Sequence, residues 1–102
     1  MSEESTRNLV FTGHNVVDDK GAKIGQVTDV IYDARSQEPR WLVVDPGRFH
    51  RSHFMPSAGS YLAEDGRIIS KYARETVMNS LASNRDHLIT PTQESELEHY
   101  YA

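Results

Sequence analysis

Gly21-Ala22-Lys23-Ile24-Gly25-Gln26-Val27-Thr28-Asp29-Val30-Ile31-Tyr32-Asp33 is the stretch that decides the fold. Its density of β-branched and aromatic residues predicts one long strand over Lys23 to Asp33. The apolar positions do not alternate cleanly: Val27 and Ile31 share one parity, whereas Ile24, Val30 and Tyr32 fall on the other. A bulge near Thr28-Asp29, or burial on both faces at a sheet corner, produces that pattern. Gly25 near the start points to a bend or a close backbone approach.

Working outward, Asp18-Asp19-Lys20-Gly21 supplies a turn, with Gly21 free to take positive φ and the Asp side chains able to bond the backbone. A first strand is expected over Val10 to Val17. Downstream, Ala34 to Glu38 is a polar connection, and Pro39 suits the first position of a strand. Trp41-Leu42-Val43-Val44 is a continuous apolar strand, the expected centre of the core, broken by Asp45-Pro46-Gly47. Arg48 to Ser52 form a loop before His53-Phe54-Met55-Pro56. Short strands over Gly59 to Leu62 and Arg67 to Ser70 flank the hairpin turn Glu64-Asp65-Gly66. Five or six short strands so closely spaced predict a mainly β fold, a small antiparallel β-barrel whose closure removes exposed edges.

After Lys71 the period changes. Ala73 to Leu81 suits a short helix, with Val77 and Leu81 four apart. Thr90-Pro91-Thr92-Gln93 carries an N-cap, a proline at the first helical position and the partner of a capping box. Leu97 and Tyr101 then share one face of a C-terminal helix. So short a helix is marginal alone, and it is expected to dock on the barrel or on a partner subunit. The division expected is a flexible tail over residues 1–9, the barrel over 10–72 and a helical extension over 73–102.

One domain fits 102 residues. The absence of cysteine excludes a disulfide framework, a thiolate metal site and a Cys nucleophile. Met1 to Thr6 is polar and acidic, unlike a signal peptide, and the longest wholly apolar run is far short of a membrane span. The expectation is a soluble cytoplasmic protein. Net charge is −4, which disfavours a dedicated nucleic-acid binder. The charge is nevertheless polarised. Arg35, Arg40, Arg48 and Arg51 lie close together with His50 and His53, whereas no Lys or Arg follows Arg85. Such polarity can steer a partner or drive head-to-tail association.

The elements Gly13-x-x-Val16, Gly21-x-x-Ile24-Gly25-x-Val27-x-Asp29-Val30, Trp41-Leu42-Val43-Val44 and Phe54-Met55-Pro56 together resemble the PRC-barrel family. This is the small β-barrel module of the photosynthetic reaction-centre H subunit. The similarity runs from about Gly13 to Tyr101. The tail, from Asp86-His87-Leu88-Ile89-Thr90 to Tyr100-Tyr101, is similar to free-standing bacterial members with an appended helix. It departs from them in lacking a proline between Ser80 and Asn84. The resemblance implies a protein-interaction scaffold with no conserved catalytic site and no cofactor. The family also includes a ribosome-maturation factor in which a barrel of this type accompanies a second domain. That resemblance implies an alternative, an RNA- or ribosome-associated factor using the basic region from Arg35 to Arg51.

The residues themselves offer little chemistry. His50-Arg51-Ser52-His53 holds an H-x-x-H pair, but only Asp45 stands nearby as a further ligand. Asp29 and Asp33 would lie roughly 13 Å apart along a strand, too far for a glycosidase-like carboxyl pair at about 5–10 Å. Phosphate-loop, calcium-loop and nucleophile-elbow patterns are absent from the sequence. The expected function is therefore a non-catalytic interaction or assembly module, self-associating as a homodimer. Contacts are expected from Arg40, Arg48, Phe49, Arg51, Tyr100 and Tyr101, with no catalytic, cofactor-binding or metal-binding residues.

Overall fold

The computed structural model describes residues 11–47, 50–83 and 86–102. Six strands, β1 (Asn15–Asp18), β2 (Lys23–Tyr32), β3 (Pro39–Asp45), β4 (His53–Pro56), β5 (Tyr61–Leu62) and β6 (Ile68–Ser70), form a single sheet. Two helices come after them, α1 (Arg74–Met78) and α2 (Pro91–Tyr101). The sheet order is β4-β3-β2-β1-β6-β5. The domain is mainly β and barrel-like, as the strand spacing implies. Closure is incomplete: among the described residues β4 and β5 do not pair with each other.

One pairing departs from the antiparallel expectation. β1 and β6 run parallel, with Val16 opposite Ile68 and Ser70 opposite Asp18. Turn residues announce hairpins between neighbouring strands, but nothing local encodes the direction in which a distant strand returns.

β2 bends as its pattern demands. Val27 faces Val44 and Asp29 faces Val43, so Thr28 is the extra residue of a bulge. A second shift lies against β1, where Val16 faces Gly25 and Val17 faces Lys23. Each extra residue reverses the parity of the positions beyond it. Ile24, Val27 and Val30 can therefore all enter one core with Val16, Leu42, Val44, Met55, Ile68 and Val77.

β3 is buried on both faces, which accounts for its unbroken apolar run. Leu42 and Val44 enter the cluster just named. Trp41 and Val43 face the other way and pack with Phe54, Leu97 and Tyr101. The second face is covered by α2. That helix starts as its sequence specifies: Thr90 accepts from Gln93 N, the Gln93 side chain accepts from Thr90 N, and Pro91 occupies the first turn.

α1 is shorter than the expected Ala73 to Leu81, because Ser80 diverts the chain. Its amide and its hydroxyl both donate to Val77 O, at 3.1 and 2.6 Å, an alternative to continued helix. Leu81 is thereby displaced from the Val77 face and stands 36% exposed.

The N-cap of α1, Ala73, offers no side-chain bond, and the role passes to Asp18. Asp18 Oδ2 accepts from Arg74 N at 3.1 Å, while Oδ1 accepts from Ala22 N and Lys20 N at 2.8 and 3.0 Å. One carboxylate thus ties the β1–β2 turn to a helix distant in sequence. The Arg74 and Ala22 amides hold its pKa below the ordinary 3.8. A depressed carboxylate pKa stabilises the fold fully above the unfolded value, and the contribution is lost as pH falls through the folded value. Asp18→Asn should therefore lower the melting temperature at neutral pH, and the gap from the parent should close in strong acid. Thermal melts across that range check this; a gap independent of pH would count against it.

Candidate interaction surface

Arg40, at the start of β3, lies under α2. Its Nη2 donates to Glu98 Oε2 at 2.6 Å, and its Nε is 4.0 Å from Glu94 Oε2. The same Glu94 oxygen accepts from Trp41 Nε1 at 3.0 Å. The Arg40 guanidinium also sits 5.4 Å from the centroid of the Trp41 ring, within cation–π range. Glu94 and Glu98 are one helical turn apart, so α2 grips Arg40 with two carboxylates while Leu97 and Tyr101 enter the core beneath. The basic region and the acidic tail thus meet within one chain at Arg40.

The terminal tyrosines part company. Tyr101 is 8% exposed and donates its hydroxyl to Phe54 O at 2.6 Å. Burial raises its phenol pKa well above 10. Its ring meets Tyr72 edge-on at 4.8 Å and Trp41 at 6.1 Å. Tyr100 is 44% exposed, its hydroxyl donating to Thr76 O of α1 at 2.7 Å. Beside it runs a groove of about 280 Å³ between the end of α1 and α2, bordered by Asn79, Ser80, Leu81, Glu96, Leu97 and Tyr100. Leu81 and Tyr100 give this groove an exposed apolar rim.

Of the other expected contact residues, Arg51 is exposed in the approach to β4. Arg48 and Phe49 lie outside the described residues. The H-x-x-H pair is divided by environment: His50 is exposed, whereas His53 is buried and bonds Ser80 O through Nδ1 at 3.1 Å. Among the described residues no group of three His, Asp or Glu side chains is placed to hold a metal ion.

Asp33 caps its own turn, Oδ1 accepting from Arg35 N and Ser36 N at 2.8 and 2.9 Å. Asp29, at the bulge, accepts from Val30 N and lies 3.2 Å from His87 Nδ1. These residues line a polar cleft of about 670 Å³ with Tyr32, Asp86 and Glu94.

A sequence profile of the PRC-barrel domain matches residues 11–77. The chain belongs to the PRC-barrel family. No curated protein matches it closely enough to add a named relative. PRC-barrel domains are in general non-catalytic. The matched segment ends at Val77, so it contains the whole sheet and most of α1 but not α2. The α1–α2 groove therefore lies where the PRC-barrel meets residues outside the match.

The sequence pattern assigns Glu94 and Glu98 no contact with Arg40, and it places Leu81 on the Val77 face of a longer helix. The carboxylates had a usable signal, since they flank Leu97 on a helix with no basic residue of its own other than His99. Leu81 had none, because its exposure depends on where α1 stops. No helix among the described residues is long and apolar enough to cross a membrane.

Proposed function

We propose that this PRC-barrel chain is a non-catalytic interaction and assembly module of the bacterial cytoplasm that associates with a second copy of itself. The observation that carries the proposal is the apolar rim of Leu81 and Tyr100 on the α1–α2 groove, exposed at 36% and 44%. Large apolar groups left in water beside a groove favour a docked partner. Charge polarity supports a second copy as that partner. The outer face of α2 carries Glu96, and Arg51 and His50 stand exposed near β4, so the basic loop of one molecule complements the helix of another. In this reading Tyr100 and Arg51 make contacts, as do Arg48 and Phe49, which lie outside the described residues. Arg40 and Tyr101 act indirectly by holding α2 in place.

Sedimentation equilibrium over a wide concentration range tests this. The expected result is a mass that rises with concentration for the parent and stays monomeric for a Leu81→Ser, Tyr100→Ala variant with an unchanged circular dichroism spectrum. A concentration-independent monomer mass in the parent would overturn it. RNA binding through the Arg35–Arg51 region is less favoured, because Arg40 is engaged by Glu98 and Glu94.

A further inference from the structure

We propose that residues 80–83 form an acid-released strap over the outer edge of β4, with His53 as the group whose protonation frees it. β4 is a terminal strand of the sheet, and such an edge offers unpaired backbone groups to any passing strand. Here the edge is covered. His53 forms an antiparallel bridge with Ala82, and Ser83 N donates to Ser52 O at 2.7 Å. Ser80 and Ser83 are 8% and 6% exposed, so the strap lies close against the sheet.

The imidazole of His53 fastens one end. Its Nδ1 lies 3.1 Å from Ser80 O and 3.4 Å from Ser80 Oγ. A carbonyl only accepts, so Nδ1 carries the hydrogen in the neutral ring and Nε2 keeps its lone pair. Protonation would place a full charge on a ring that is 8% exposed.

Among the described residues, the groups that act on the ring offer that charge no carboxylate. From the β4 side, Arg51 and His50 oppose it. From the strap come Ser80, Leu81, Ala82 and Ser83, none ionisable. From β3 comes Val44, opposite His53, and from α1 Val77 through Ser80. From α2 comes Tyr101, whose phenol stays neutral and donates to Phe54 O. Burial, reinforced by Arg51 and His50, pushes the His53 pKa below the ordinary 6.5, although the Ser80 and Leu81 carbonyls partly offset it. A base with a depressed pKa stabilises the closed form fully above the ordinary value, and the stabilisation is lost as pH falls from there through the depressed value.

Amide hydrogen exchange on the full chain tests this, with protection factors compared between about pH 7.5 and about pH 5. Protection of the Ser83 amide should fall as the pH drops through the His53 titration, while the amides of β3 keep theirs. His53→Gln, which retains a donor for Ser80 O, should abolish the acid response, and His50→Gln should leave it intact. The ring of His53, followed by NMR, should titrate below 6.5 with the same midpoint as Ser83 opening. The proposal fails if β3 amides lose protection in parallel with Ser83, or if His53→Gln still responds to acid. It fails equally if His53 titrates at or above its ordinary value, a readout on the parent that stands even where a variant does not fold.

Discussion

Trp41→Ala should remove about 3–5 kcal/mol of folding stability, the usual cost of emptying a large aromatic site in a core. Trp41 is 2% exposed and lies at the centre of the cluster that joins β3, β4 and α2. Its loss would leave a cavity beneath Leu97 and Tyr101, deprive Glu94 of the indole N–H, and remove the ring over which Arg40 lies. Domains of this size hold about 5–15 kcal/mol in total, so the variant would stand near the edge of folding. Trp41→Phe keeps most of the apolar volume and loses the N–H. Its expected cost is smaller, about 1–2 kcal/mol. Urea denaturation followed by far-ultraviolet circular dichroism measures both, since the chain has a single tryptophan and the variants lose its fluorescence. A loss under about 1 kcal/mol for Trp41→Ala, the level of a surface change, would mean that α2 does not rest on this ring.

Gly25→Ala should cost about 2–3 kcal/mol, the penalty of forcing a group into a packed site. An added Cβ at Gly25 would stand 2.7 Å from the Asp45 carbonyl carbon and 2.9 Å from Val44 Cγ1, and nearer still to Asp45 O. Backbone on the neighbouring strand cannot rotate aside as a side chain can, so β2 and β3 would have to separate. Gly21→Ala provides the contrast. It meets nothing within 4 Å but sits at φ +87°, so its cost is conformational and smaller, about 1–2 kcal/mol. Denaturant midpoints for the two variants distinguish crowding from backbone strain. A neutral Gly25→Ala would contradict the close approach of β2 to β3.

Much of this fold is legible in the sequence wherever its cause is local. Gly21 and Gly66 mark their turns by positive φ, the parity change across Thr28 marks its bulge, and Thr90-Pro91-Thr92-Gln93 marks the start of α2. The features that stayed hidden depend on residues far apart in the chain. The parallel return of β6, the capping of α1 by Asp18 and the clamping of Arg40 by Glu98 each join such residues. The surface is harder still. Tyr100 and Tyr101 are neighbours of identical chemistry, yet a helix turns adjacent residues about 100° apart, and only the docking of α2 decides which one is buried. Leu81 has the composition of a core residue and becomes part of a rim because Ser80 ends the helix before it.

The parallel union of β1 with β6 also bears on the speed with which the molecule assembles. Hairpins such as β2–β3 need only a short loop to close, whereas Val16 must find Ile68 across most of the intervening sheet. Closing the larger loop has an entropic penalty before any contact compensates for it, and topologies dominated by distant partners fold slowly. Asp18, at the end of β1, can bond Arg74 only once that long closure is made. The cap of α1 is thereby expected to form late in folding, after two strands from opposite ends of the sheet's sequence have paired.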